Sequence, residues 1–117
     1  MEALERYMEI KEEQKGLLLI LHLSGRLDAV SSPAAEKKVF EIILSGQHKL
    51  ILSFKDVSYL SSAGMRMLLA TTKRLKTLSG KMVVCDVPTT ILDILKMSGF
   101  DHVLELAATQ EDALSYF

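Results

Sequence analysis

The sequence predicts an α/β protein with a mixed, mostly parallel sheet of about five strands and about four helices. Three observations point to this. Short unbroken apolar runs recur at Leu50 to Phe54, Met82 to Cys85 and Val103 to Leu106. Helix-spaced patterns lie between them, and two extended segments open the chain. Unbroken runs of that length suit strands in a sheet covered by helices. Their alternation with helices calls for parallel strands joined by right-handed crossovers.

Taken in order, the extended segments span about Arg6 to Glu13 and Leu17 to Ser24, with Gly16 at the break, and predict a hairpin. The first helix runs from Pro33 to about Leu44, with Ser32 as N-cap, Pro33 at the first helical position and Gly46 past the end. Ala35, Val39, Ile42 and Ile43 mark its buried face. The second helix spans about Ser62 to Leu78 and stops before Gly80. Its expected inward face is Met65, Leu68, Leu69, Thr72, Leu75 and Lys76, with the Lys76 stem snorkelling outward. The third, Pro88 to Met97, gathers Ile91, Leu92 and Leu95 and stops at Gly99. A fourth begins near Thr109, which has capping-box spacing to Asp112. Residues 1–117 therefore read as a single domain, with no linker or repeat.

The formal net charge is −1, from 14 Lys and Arg against 15 Asp and Glu, so no global basic field points to nucleic acid or an anionic membrane. The opening MEALERYMEIKEEQK is acidic and mixed, unlike a signal peptide. The longest apolar run, Leu17 to Leu21, falls far short of the roughly 20 residues that span a bilayer. A cytoplasmic protein is expected, with proteins or small ligands as partners. Cys85, the only cysteine, excludes an internal disulfide and reads as a core thiol rather than a redox sensor. His22, His48 and His102 lack any metal-binding spacing. YLSSAG lacks the leading glycine of a nucleophile elbow, and there is no glycine-rich phosphate cradle. Neither an enzyme nor a cofactor is expected.

DVSYLSSAG, Asp56 to Gly64, passes from alternation to helical spacing through two adjacent hydroxyls. One serine suffices as an N-cap, worth about 1 kcal/mol. The second, followed by Ala63 and Gly64, predicts a small open turn where a partner approaches the backbone. Ala63, Met67, Ala70 and Arg74 are spaced to form an outward stripe opposite the Met65, Leu68, Leu69 face. Lys73, Arg74 and Lys76 complement the negative end of the helix dipole, with an acidic partner as the alternative.

Together the element order, GRLD at Gly25 to Asp28, DVSYLSSAG, KMVVCDV and KMSGF at Lys96 to Phe100 resemble the STAS-domain family. Within it the chain is similar to the small single-domain bacterial anti-sigma factor antagonists. The resemblance covers nearly the whole chain, and DVSYLSSAG is its most specific part. In that family the segment typically reads D-x-S-x-x-D-S-[ST]-G, and the serine after the second aspartate is phosphorylated by a kinase that is also the anti-sigma factor. That position is Ser62 here. Ser61 stands where the family has aspartate, and Ala63 where it has a hydroxyl.

The resemblance implies partner switching. The unphosphorylated form binds an anti-sigma factor with serine kinase activity and frees a sigma factor, phosphorylation on Ser62 reverses the binding, and a phosphatase resets it. Ser61 is then the helix cap next to the site. Asp28, Ala63, Gly64, Met67, Ala70 and Arg74 form the expected partner-binding set, without direct nucleic acid or membrane contact. Two alternatives stay open: a STAS scaffold or sensor module that is not phosphorylated, and a small-molecule-binding STAS domain using the sheet end near Asp28 and Ser62.

Overall fold

A computed structural model describes residues 8–117. Arg6 and Tyr7, the start of the first expected strand, lie outside the described residues. Strands β1 (Met8–Lys15) and β2 (Leu18–Leu27) form an antiparallel hairpin that pairs Met8 with Gly25 and Lys15 with Leu18. Gly16 turns the chain at φ +59°, a left-handed conformation that carries no Cβ penalty in glycine. The remaining order is α1 (Ser32–Leu44), β3 (Lys49–Leu60), α2 (Ser62–Thr77), β4 (Lys81–Cys85) and α3 (Thr89–Met97). A 3-10 turn (Phe100–His102), β5 (Glu105–Ala107) and α4 (Gln110–Leu114) follow. The strands lie in the order β1-β2-β3-β4-β5, with only β1 antiparallel to its neighbour. This is the mixed, mostly parallel five-stranded sheet that the alternation predicts.

Both faces of the sheet are apolar along its centre. Leu19, Leu21, Leu23, Leu50, Leu52, Phe54, Met82 and Val84 are buried with residues of α1, α2 and α3. The alternate residues Ile20, Ile51, Val83 and Cys85 pack with Ala113 of α4 on the other side. Because successive side chains point to opposite faces, this double burial is why the runs read as unbroken.

Several boundaries differ from the sequence reading, and three of them have a physical cause in the structure. β3 runs on past its expected end at Phe54 to Leu60, since Ser24 to Leu27 of β2 continue alongside Asp56 to Leu60 through two register shifts. β5 begins at Glu105, because the 3-10 turn carries the chain to Val103, whose N–H bonds Phe100 O at 3.1 Å. At α1 the cap position falls on Ser31 rather than Ser32, and Pro33 is the second helical residue. Ser32 is displaced from the cap because the preceding turn is fastened by Asp28.

Candidate functional site

Leu27 and Leu60 are the last pair of the β2–β3 ladder, so the loops that follow them leave the sheet side by side. One begins at Asp28 and the other at Ser61. Ser61 is extended, with φ −92° and ψ 173°, and caps α2. Its N–H donates to Leu27 O at 2.9 Å. Its Oγ donates to the same carbonyl at 3.3 Å and accepts the Gly64 N–H at 3.3 Å. The hydroxyl therefore satisfies one of the amides that a helix start leaves without an intrahelical partner. Ser62, the first helical residue, is exposed, and among the described residues no hydrogen bond engages its Oγ.

Asp28 folds the neighbouring loop. Its Oδ1 accepts the N–H groups of Val30 and Ser31, each at 3.0 Å, and its Oδ2 takes Arg26 Nε at 3.4 Å. Ser31 Oγ donates to Arg26 O at 2.6 Å and accepts the Asp28 N–H at 3.1 Å. The Ser31 N–H chiefly, then those of Val30 and Arg26, hold the Asp28 carboxyl below its usual range against an opposing effect of burial. A carboxylate at the start of α1 is thus fixed in its charged form beside the serine turn. The Arg26 guanidinium also lies 4.3 Å from the centre of the Tyr59 ring, a cation–π contact across the paired strands.

The remaining expected partner residues divide. Gly64 is buried, not part of an open turn: a Cβ there would lie 2.6 Å from Leu60 Cδ1 and 2.8 Å from Leu27 O. It is the point where α2 rests on the ends of β2 and β3. Met67 is also buried, at 2% exposure, so the stripe through it does not face solvent. The inward face of α2 is Gly64, Met67, Leu68, Thr71 and Leu75, about 80° round the helix from the expected one at 100° per residue. Ala63 and Ala70 are half-buried on the flank shared with Arg74, whose guanidinium lies 4.9 Å from the Phe40 ring of α1. Met65 occupies the other flank, where Ser98 Oγ at the end of α3 meets its sulfur at 3.6 Å. Lys76 is exposed rather than inward. The physical reason is that α2 has neighbours on three sides, so apolar residues occupy more of its circumference than a single stripe.

Elsewhere, burial pushes the Cys85 thiol up to about 12, helped by the hydrogen bond and charge of Asp86. His22 Nε2 lies 2.8 Å from Glu13 Oε1 and His48 Nε2 lies 3.2 Å from Ile43 O. A cavity of about 470 Å³ lies on the α4 side of the sheet, lined by His22, Ser53, Lys55, Asp56, Asp86 and Glu111 among others; neither Asp28 nor Ser62 borders it. No helix among the described residues is long and apolar enough to cross a membrane. One residue escaped the sequence reading. Arg66, exposed one turn beyond Ser62 on the outward line of α2, shows itself at i+4 once the helix phase is known.

Fold and site define a small α/β domain that presents a hydroxyl turn and an acidic loop together at one end of its sheet. The STAS domain family model matches residues 8–113, and the chain belongs to that family. The anti-sigma F factor antagonist of Paenibacillus polymyxa is 29% identical over 109 residues, covering 92% of this chain and 93% of that protein. A crystal structure of an anti-sigma factor antagonist from Mycobacterium paratuberculosis superposes with a TM-score of 0.84 at 24% identity, covering 93% of this chain and 92% of that one. The phosphorylated form of the Bacillus cell fate determinant SpoIIAA superposes with a TM-score of 0.70 at 21% identity, covering 92% and 98% respectively.

Proposed function

We propose that this protein is an anti-sigma factor antagonist switched by phosphorylation of Ser62. Its unmodified form binds an anti-sigma factor with serine kinase activity and frees a sigma factor. Phosphate on Ser62 ends that binding, and a phosphatase restores it. The chain is the kinase's substrate and performs no chemistry itself. The observation that carries this reading is the contrast between the hydroxyls: Ser61 Oγ is engaged on two sides, while Ser62 Oγ is exposed on the first turn of α2.

A phosphate at that position meets amides and the positive end of the helix dipole, so the domain itself tolerates it. The cost falls on the complex. About −2 charges placed in an interface without cationic partners cost several kcal/mol, and about 4 kcal/mol already means roughly thousandfold weaker binding. The test is intact mass after incubation with ATP and each kinase-type anti-sigma factor of the same genome. Ser62→Ala is expected to bind the kinase and gain no phosphate, and Ser61→Ala to remain a substrate. Phosphate on Ser61, or kinase-dependent phosphate persisting in Ser62→Ala, refutes the assignment.

A further inference from the structure

The corrected phase of α2 brings together residues that the amphipathic pattern had dispersed. At 100° per residue, Ser62, Arg66 and Lys73 fall within about 40° of one another, directly opposite the buried Gly64, Leu68, Thr71, Leu75 face. Lys76 lies beside them. The helix contains Arg66, Lys73, Arg74 and Lys76 but neither Asp nor Glu. Arg74 is occupied over Phe40. Arg66, Lys73 and Lys76 are exposed, and the ion pairs among the described residues involve none of them. Lys73 and Lys76 complement the negative end of the dipole, but Arg66 stands near the positive end, where a cation does nothing for the helix.

We infer that the outward line Ser62–Arg66–Lys73–Lys76 is a cationic docking track for an acidic surface on the anti-sigma partner. This inference rests on the proposed function. The track spans about 20 Å from Ser62 to Lys76 at 1.5 Å per residue, long enough to meet a row of carboxylates on a partner helix or strand. Charge complementarity favours an acidic protein patch over a nucleic acid, because this helix face is cationic while the chain as a whole carries −1, which suits a local acidic surface rather than an extended polyanion. The track also begins at the modified hydroxyl. Side chains at i and i+4 are neighbours on a helix, so a phosphate on Ser62 cancels the charge of Arg66 and turns the head of the track against the same acidic surface.

The experiment is stopped-flow association of the full chain with the anti-sigma kinase at low and high salt, comparing wild type with the Arg66→Gln, Lys73→Gln, Lys76→Gln triple variant. The triple variant is expected to associate about tenfold more slowly at low salt, to lose most of its salt dependence and to keep the wild-type thermal midpoint. Arg66→Gln and Lys73→Gln alone serve as the readout if the triple variant does not fold. Unchanged association rates and salt slopes overturn the track. A wild type that binds no kinase-type anti-sigma factor at any salt concentration refutes the antagonist reading instead. A labelled DNA duplex that binds wild type as tightly as the partner does, and fails to bind the variant, overturns the choice of a protein occupant.

Discussion

Ser61 Oγ bridges Leu27 O and the Gly64 N–H, whereas Ser62 Oγ one residue later faces solvent, so two identical side chains have different work. Their division follows from Ser61 being extended and Ser62 helical, a distinction that the N-cap preference anticipates without saying which serine takes which place. Asp28 was legible as part of a turn, but its role in fastening α1 depends on Ser31 and Arg26 folding back around it. Pattern alone does not reveal that. Cys85 was legible outright, because a thiol inside a short apolar strand has little other place to go. With its pKa pushed up to about 12 by burial, almost no thiolate exists at neutral pH. Iodoacetamide is expected to leave the native protein unmodified and to label Cys85 fully in denaturant, as read by intact mass. Rapid native labelling would show that the β4 strand opens readily.

α2 is where the sequence pattern misled. A helix lying on a sheet between two other helices buries its inward face fully and half-buries both flanks, so Met65, Met67, Leu68, Leu69 and Ala70 surround most of its axis. Hydrophobic periodicity then fixes that a helix exists but only weakly fixes which side is in. Gly64 is the sharper marker of phase, since a small residue belongs where the helix approaches other backbone. With Leu27 O only 2.8 Å from the position of a new Cβ, Gly64→Ala is expected to cost about 1–3 kcal/mol from overpacking, measured as a lower urea midpoint. Wild-type stability would mean that the first turn of α2 lifts away easily. β3 shows a different limit. The alternation in DVSYL was visible, but its pairing depends on Ser24 to Leu27 lying parallel beside it, a partnership set by tertiary structure.

For the whole molecule, the sheet order and its central burial were readable because each unbroken run has helices to cover it. The adjacency of Asp28 and Ser61 was harder to read, because it comes from the final rung of a ladder that shifts register twice. That rung ties three things together: the end of β2, the end of β3 and the start of α2, through Leu27 O. Backbone amide shifts of Ser62→Glu are therefore expected to differ from wild type only around residues 26–31 and 60–67, with the β4, α3 and α4 resonances unmoved in a two-dimensional NMR spectrum. Changes spread across the sheet would indicate a global rearrangement. The shared carbonyl has one more consequence. A helix fastened at its first turn through Leu27 O is braced where a phosphate on Ser62 would sit, so the proposed modification would change the surface without calling for a second conformation. The signal would then be stored in a covalent ester alone, and its lifetime would be set by the enzymes that write and erase it rather than by any barrier within the fold.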